Sequence, residues 1–448
     1  MVTEVTTPGQ TPRTVRYPTI SSTMTQLKRL PTLALILVAF TVAALTGLHA
    51  WADEASAGPL ASAVGPLLDK HVMAGAVMLV ANRDKVLDVE AIGDAQIDPK
   101  EPMRADDLFW IASMSKSMTA TALMMLVDEG KVKIDDPVEK YLPEFKGQQV
   151  VDPKDMNHPH PPAHPITIKE ILSHTSGMVL ASDKALKQNY NLKLDVAEYA
   201  SIPLHCEPGT KYQYNNDGIN TAGRIIEVVS GISYADFMQH RLFDALEMTD
   251  TTFWPTDEQA KRMAHAVRLG ADKRSLEQNH FDKELKPALI ARFSNGAAVP
   301  QPMLEDMGLG VASDYGNRYA MPAGGIYSTA KDVGRFCQML LNRGIDHGKP
   351  ILSEKAVAQM TSPETGDVPV SPSEGYGLGW SVKLKDDEGL SVGSFGHRGA
   401  RRTAMWVDPK NELVMVIMVE RMDMPGSEQK QLYSTFMRTA IATYGKRN

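Results

Sequence analysis

The stretch LFWIASMSKSMTATALMMLVDEG, residues 108–130, sets Ser113 and Lys116 three positions apart at the head of an apolar helix. Residues three apart on a helix share a face, so hydroxyl and amine come within reach of each other. An amine accepts a hydroxyl proton only where burial or a neighbouring cation disfavours its ammonium form. The first helical turn also offers unpaired N–H groups to a developing oxyanion. The tetrad Ser113-Met114-Ser115-Lys116 therefore reads as an acyl-transfer nucleophile with its base. A chain of this length contains about one Ser-x-x-Lys by chance, so the reading depends on partners elsewhere.

Two partners lie downstream. Tyr214-Asn215-Asn216 follows the turn-forming Glu207-Pro208-Gly209 and precedes the helical GINTAGRIIEVVSG, which places Tyr214 on a tight loop as a second proton carrier. His397-Arg398-Gly399 lies in GSFGHRGARRTAMWVDPKNELVMVIMVE, residues 393–420, whose later part has the β-branched and apolar content of buried strands. A glycine two positions after His397 lets backbone approach a ligand closely.

The order Ser-x-x-Lys, Tyr-x-Asn, basic residue-x-Gly resembles the three-motif set of serine β-lactamases and penicillin-binding proteins. Residues 108–145, ITIKEILSHTSGM, PGTKYQYNNDGINTAGRIIEVVSG, AGGIYSTAKDVGRFCQMLLNRG and YGLGWSV all resemble blocks of class C β-lactamase-related serine hydrolases. That group includes penicillin-binding-protein-like enzymes and EstB-type esterases. The resemblance spans nearly everything after about residue 56. It implies a β-lactamase/transpeptidase-like fold with Ser113, Lys116 and Tyr214 catalytic. It also implies that Asn216 contacts a substrate amide and helps to hold Lys116. His397, Gly399 and Ala400 would line the substrate strand, and the N–H groups of Ser113 and Ala400 would form the oxyanion hole. No cofactor and no metal is implied.

One departure bears on substrate. True class C β-lactamases carry Lys-Thr-Gly as the third motif, and that lysine's charge helps to hold the β-lactam carboxylate. Here the position is His397, largely neutral near its ordinary pKa, so the anchor is weakened unless Arg398, Arg401 or Arg402 replaces it. The first expectation is thus an esterase-like enzyme acting on a small carboxylic ester or amide. A D-amino-acid peptidase or D-Ala-D-Ala carboxypeptidase is second and a true class C β-lactamase third. A catalytically inactive binding protein on the same fold is the alternative of another class.

Rival constellations are weaker. Gly389-Leu390-Ser391-Val392-Gly393 fits G-x-S-x-G, but a nucleophile elbow needs a strand before it and a helix after it. A second Tyr-x-Asn occurs at Tyr315-Gly316-Asn317. His174 reads as a structural histidine closing a helix end. The run from His158 to Pro165 could bind metal by composition, yet it lacks a familiar ligand spacing and reads as a stiff surface flap beside the cleft.

Residues 1–52 have the layout of a secretory signal peptide. Lys28-Arg29 precede an apolar run from Leu33 to about Leu48, and Ala50-Trp51-Ala52 is a small-x-small cleavage site. The expectation is a periplasmic or secreted protein cleaved after Ala52, with no stable membrane insertion afterwards and one hydrolase domain over 53–448; an uncleaved anchor is the rival. The chain has 47 basic and 54 acidic side chains, a net charge of −7. Loss of the leader removes Arg13, Arg16, Lys28 and Arg29 but only Glu4, so the remainder is still more acidic. Such a surface disfavours nucleic acid and anionic membrane as partners and leaves a small-molecule ester, amide or peptide. Two cysteines, Cys206 and Cys337, give no disulfide framework. Oligomeric state is not encoded in any motif.

The fold class expected from pattern is α/β. AGAVMLVANRD and KVLDVEAIGDAQI, residues 74–97, alternate as an early antiparallel hairpin, while GLGWSVKL, TAMWVDP and ELVMVIMV read as later strands of the same sheet. Mainly helical stretches separate them, and QKQLYSTFMRTAIATYG closes the chain as a helix packed on the sheet. The result is an antiparallel sheet sandwiched by helices, joined to a helical region, with the site in the seam. No internal repeat or linker divides it.

Overall fold

The computed structural model describes residues 58–152, 155–179, 191–279 and 320–446. The leader expected over 1–52 and the triplet Tyr315-Gly316-Asn317 lie outside the described residues.

Strand β1 (Gly75–Ala81) explains why the central sheet is written in apolar runs. All seven of its residues are buried. Side chains alternate across a strand, so Val77, Leu79 and Ala81 enter one core while Ala76, Met78 and Val80 enter another. The same division recurs in later strands: Val414, Val416 and Met418 face the first core, and Leu413, Met415 and Ile417 the second. A strand covered on both faces loses the polar half of its alternation.

The sheet has eight strands. After β1 come β2 (Val86–Ile97), β3 (Lys100–Pro102), β4 (Glu374–Tyr376), β5 (Ser381–Lys383), β6 (Phe395–Arg398), β7 (Ala404–Asp408) and β8 (Leu413–Met418). Their spatial order is β4-β5-β6-β7-β8-β1-β2-β3. Every pairing is antiparallel, and β1 joins the two ends of the chain by pairing Val77 with Met418 and Ala81 with Val414.

Helices cover both faces. On one lie α1 (Pro59–Val64) and the terminal helix α5 (Gly426–Tyr444), which buries Leu432, Phe436, Met437 and Ala440 in the second core. Full burial of a side chain such as Phe436 contributes about 2–3 kcal/mol. On the other face, α4 (Ala330–Leu341) packs Val333, Phe336 and Met339 into the first core and starts at Thr329, whose hydroxyl accepts the Asp332 N–H. Beyond it lies the helical region, built around α2 (Ser115–Asp128) and α3 (Asp217–Ser230). The first twelve residues of α2 are buried, the mark of a helix surrounded on all sides. The α/β architecture expected from the pattern is present, with α2 at the junction of sheet and helical region.

The first three residues of the His-Pro run lie in a strand, Asp155–His160, which pairs with Val150–Asp152; residues 161–165 connect it onward. Val150 is bridged on its other side to Leu204, so Asp155–His160 is the outer strand, and an edge tolerates Pro159. His158 and His160 are exposed there. Cys206 and Cys337 are free thiols. Among the described residues, no helix is long and apolar enough to cross a membrane.

Candidate active site

Ser113 sits in a short 3₁₀ turn, Ala112–Met114, that runs directly into α2. Ala112, just before it, has φ +46°, a left-handed conformation that costs a residue with a side chain about 1 kcal/mol or more. Local strain of this kind persists where surrounding structure imposes it. The N–H of Ser113 forms no hydrogen bond among the described residues, nor does that of Ala400, so both expected oxyanion donors are free.

Lys116 lies one turn on and is completely buried. Its Nζ donates to Ser113 Oγ at 3.0 Å and to the Ala323 carbonyl at 2.7 Å. Neither partner is anionic, so burial alone pulls the ammonium from its ordinary 10.5 to about 7. An amine poised near neutrality can accept the serine proton. The second partner differs from the sequence expectation, in which Asn216 helped to hold Lys116. Asn216 makes no such hydrogen bond; Asn220, one helical turn further into α3, accepts the Ala323 N–H at 3.0 Å and donates to Tyr199 Oη at 3.2 Å. Asn220 thereby fixes the segment whose carbonyl holds Lys116. The contact joins residues 207 positions apart, and no local pattern announces it.

Tyr214 stands on the loop before α3, as expected, with its phenol beside Ser113. Lys116 Nζ lies 5.0 Å from the centre of its ring. Tyr214 is 41% exposed by surface area, yet the groups crowded around its phenol desolvate it and push its pKa above the ordinary 10, opposed by the nearby Ser113 hydroxyl. Desolvation of the phenol outweighs the effect of Ser113, so it is neutral at rest and able to donate.

His397 is on β6, facing this group. Its ring centre is 6.2 Å from that of Tyr214. Burial first, and then the charge of Lys116, hold the imidazole near a pKa of about 3, so it is neutral. Its Nδ1 hydrogen donates to the Arg398 carbonyl at 2.9 Å, and Nε2 is 3.1 Å from Tyr376 Oη. Tyr376 was not singled out as a site residue from sequence, although YGLGWSV was part of the family pattern. His174 is the other surprise. It does close the helix Ile168–Leu172, in a left-handed conformation at φ +59°, but its ring also packs 4.5 Å from that of Tyr214.

Gly399 follows β6 where the strand passes the nucleophile. A Cβ there would lie 2.1 Å from Thr403 Oγ1 and 2.6 Å from the Ile111 carbonyl, so only glycine permits the approach. The three arginines offered as replacements for a lysine anchor are engaged elsewhere. Arg398 pairs with Glu388 and Glu374, Arg402 donates to the carbonyls of Ala400, Met422 and Met424, and Arg401 lies over the Trp110 ring near Glu420.

Ser391 of the G-x-S-x-G motif lies in a turn before β6, its hydroxyl accepting from Asn411 Nδ2 at 3.0 Å. No helix follows it, so the elbow geometry is absent. A cavity of about 410 Å³ walled by Leu192, Arg224, Tyr234 and Trp254 contains none of Ser113, Lys116, Tyr214 or His397. Ser233 on its wall donates to Asp236 at 2.6 Å, but it does so as the N-cap of the helix Tyr234–Met238, and the chemistry points to the seam.

Comparison with known proteins agrees with this geometry. Residues 60–436 match the Beta-lactamase family. Lovastatin esterase of Penicillium rubens is 27% identical over 381 residues, covering 77% of this chain and 88% of the relative. Penicillin-binding protein 4 of Amycolatopsis lactamdurans is 30% identical over 303 residues, 66% of each. Among solved structures, EstCE1, a hydrolase with promiscuous acyltransferase activity, superposes with TM-score 0.66 at 20% identity, covering 85% of this chain and 97% of its own; at that identity it speaks for the fold. From the match over 60–436 and this shared fold, the chain belongs to the beta-lactamase family, in the class C and penicillin-binding-protein-like group of serine hydrolases that includes esterases.

Proposed function

We propose that this chain is an exported esterase-like serine hydrolase that forms an acyl-enzyme at Ser113 from a small, uncharged carboxylic ester or amide. The observation that carries the reading is the pair Ser113 Oγ and Lys116 Nζ at 3.0 Å, with the amine held by burial near pKa 7. General bases work best with a pKa close to the operating pH.

In the first step neutral Lys116 accepts the Ser113 proton as Oγ forms a bond to the substrate carbonyl carbon. The carbonyl electron pair moves onto its oxygen, which takes hydrogen bonds from the free N–H groups of Ser113 and Ala400. When the tetrahedral intermediate collapses, the bond to the leaving oxygen breaks and Tyr214 donates its phenolic proton to that oxygen. Lys116, carrying the serine proton, returns one to Tyr214. Water then attacks the acyl carbon by the same route in reverse and releases Ser113.

Preference for a neutral substrate follows from the β6 side of the site. His397 is uncharged and Arg398, Arg401 and Arg402 are engaged, so no side chain of this motif presents a free positive charge to a carboxylate. The naming of one relative as a lovastatin esterase supports the ester class. Export after cleavage at Ala52 is part of the proposal and rests on the leader's layout.

A panel of p-nitrophenyl esters, D-amino-acid amides, D-Ala-D-Ala peptides and nitrocefin tests it. The reading expects the highest kcat/KM on a neutral ester. Nitrocefin or a D-Ala-D-Ala peptide at the top would overturn it in favour of the β-lactamase or carboxypeptidase alternatives.

A further inference from the structure

His174, Tyr376 and His397 form a buried chain beside the nucleophile, 0%, 2% and 5% exposed. At one end the Asn215 N–H, next to Tyr214, points to His174 Nδ1 at 3.5 Å. His174 Nε2 is 3.2 Å from Tyr376 Oη, which is 3.1 Å from His397 Nε2, and His397 Nδ1 is 2.9 Å from the Arg398 carbonyl. The ends have fixed roles, since a backbone N–H only donates and a carbonyl only accepts. The shorter end sets the direction. With the Arg398 carbonyl as acceptor, His397 carries its hydrogen on Nδ1, so its bare Nε2 accepts from the Tyr376 hydroxyl. That leaves the Tyr376 oxygen to accept from His174 Nε2–H, and the bare Nδ1 of His174 then faces the Asn215 donor, as the other end requires.

We propose that Tyr376 is a positioning residue that locks His174 and His397 in opposite neutral tautomers and ties the Tyr214 loop to the β6 strand. Every ring nitrogen in the chain is occupied, so neither imidazole is left to carry a proton for Ser113 or to hydrogen-bond substrate. The assignment of His397 as a substrate-binding residue is refined accordingly: its ring holds Tyr376, and through it His174 and the backbone beside Tyr214. Burial suits the arrangement, because neutral rings cost less to desolvate than charged ones. The chain couples the two flanks between which a substrate carbonyl must lie, and small displacements there slow chemistry more than binding.

The tautomers are a property of the resting protein, whereas the effect on turnover rests on the acyl-enzyme reading, so the two are measured separately. Long-range ¹⁵N–¹H spectra of the intact enzyme should show His174 protonated on Nε2 and His397 on Nδ1, assigned with His174→Gln and His397→Gln. Like tautomers for both rings, or a charged ring at pH 7, would overturn the proposal whether or not Ser113 is the nucleophile. Tyr376→Phe keeps the ring and removes the hydroxyl. It should lower kcat about tenfold or more while leaving KM within about threefold, and should change the ¹⁵N shifts of both histidines. Unchanged kcat in folded Tyr376→Phe would overturn the positioning role, and failure of that variant to fold leaves the wild-type spectrum to decide.

Discussion

Two lysines among the described residues are fully buried, Lys116 and Lys383, and they live in opposite surroundings. Lys383, on β5, has Glu374 at 2.6 Å, Asp387 at 3.3 Å and Glu388 at 3.9 Å, and lies 5.0 Å from the centre of the Trp406 ring. Lys116, on α2, has a hydroxyl and a carbonyl and no carboxylate. The first is an ion-paired cation that joins β4, β5 and the following turn. The second has been left without a counter-charge, so its ammonium is the costly form and its free amine is available near pH 7. Burial alone therefore says little about a lysine's purpose; the charge of its neighbours decides between a structural and a chemical role.

The largest effects should come from breaking the chemical side of this contrast. Ser113→Ala, Lys116→Met and Tyr214→Phe should each lower kcat/KM on the best ester by at least about a hundredfold, the scale of general-base assistance. They should be strongly non-additive, because residues acting as a unit fail together. Equivalent loss in Ser391→Ala would instead revive the elbow motif.

Stability should move in opposite directions at the two lysines. Lys383→Met leaves Glu374 and Glu388 with Arg398 as their remaining partner and takes Lys383 away from Asp387, and should cost about 3 kcal/mol, read from denaturant unfolding. Lys116→Met should stabilise the fold by a few kcal/mol near neutrality, since roughly 1.4 kcal/mol accompanies each unit of pKa displacement. The sign follows from proton binding. Between about pH 7 and 10.5 the unfolded lysine holds a proton that the folded one has lost, so wild-type stability rises with pH across that window. The gain from Lys116→Met should accordingly be largest at or below pH 7 and fade toward pH 10.5.

How legible each side was in the sequence differs for a physical reason. The Ser113–Lys116 contact is local and follows from helical periodicity, and the two-sided apolar runs of β1, β7 and β8 announce a covered sheet. The tyrosine loop was placed by its flanking turn and helix. What escaped is what the chain brings together from afar: the Ala323 carbonyl on Lys116, Asn220 behind it, and Tyr376 between two histidines. Asn216 was assigned the role of holding Lys116 because it sits in the motif, while Asn220 supports that contact because one turn of α3 aims it at the Ala323 segment. The strand at Asp155–His160 was not legible within the flap, because Pro159 gives no strand signal although an edge strand tolerates it.

A smaller effect sharpens the comparison on the β6 side. Gly399→Ala should reduce kcat about tenfold by forcing β6 away from Ile111. Smaller still, His397→Lys puts an amine where a buried neutral ring stood and should raise the ratio of β-lactam to ester turnover by several-fold while lowering both rates, because it also removes the contact with Tyr376. An unchanged ratio would remove the charge argument for a neutral substrate.

The most direct test of the central claim is the pH dependence of covalent labelling by a fluorophosphonate, with the modified residue identified by peptide mass spectrometry. The account predicts a label on Ser113 whose rate rises about tenfold per pH unit below an inflection near 7 and levels above it, with the rise abolished in Lys116→Met. A label on another serine, or a Ser113 rate that is flat from pH 5 to 9, would contradict the claim that a neutral Lys116 activates the nucleophile.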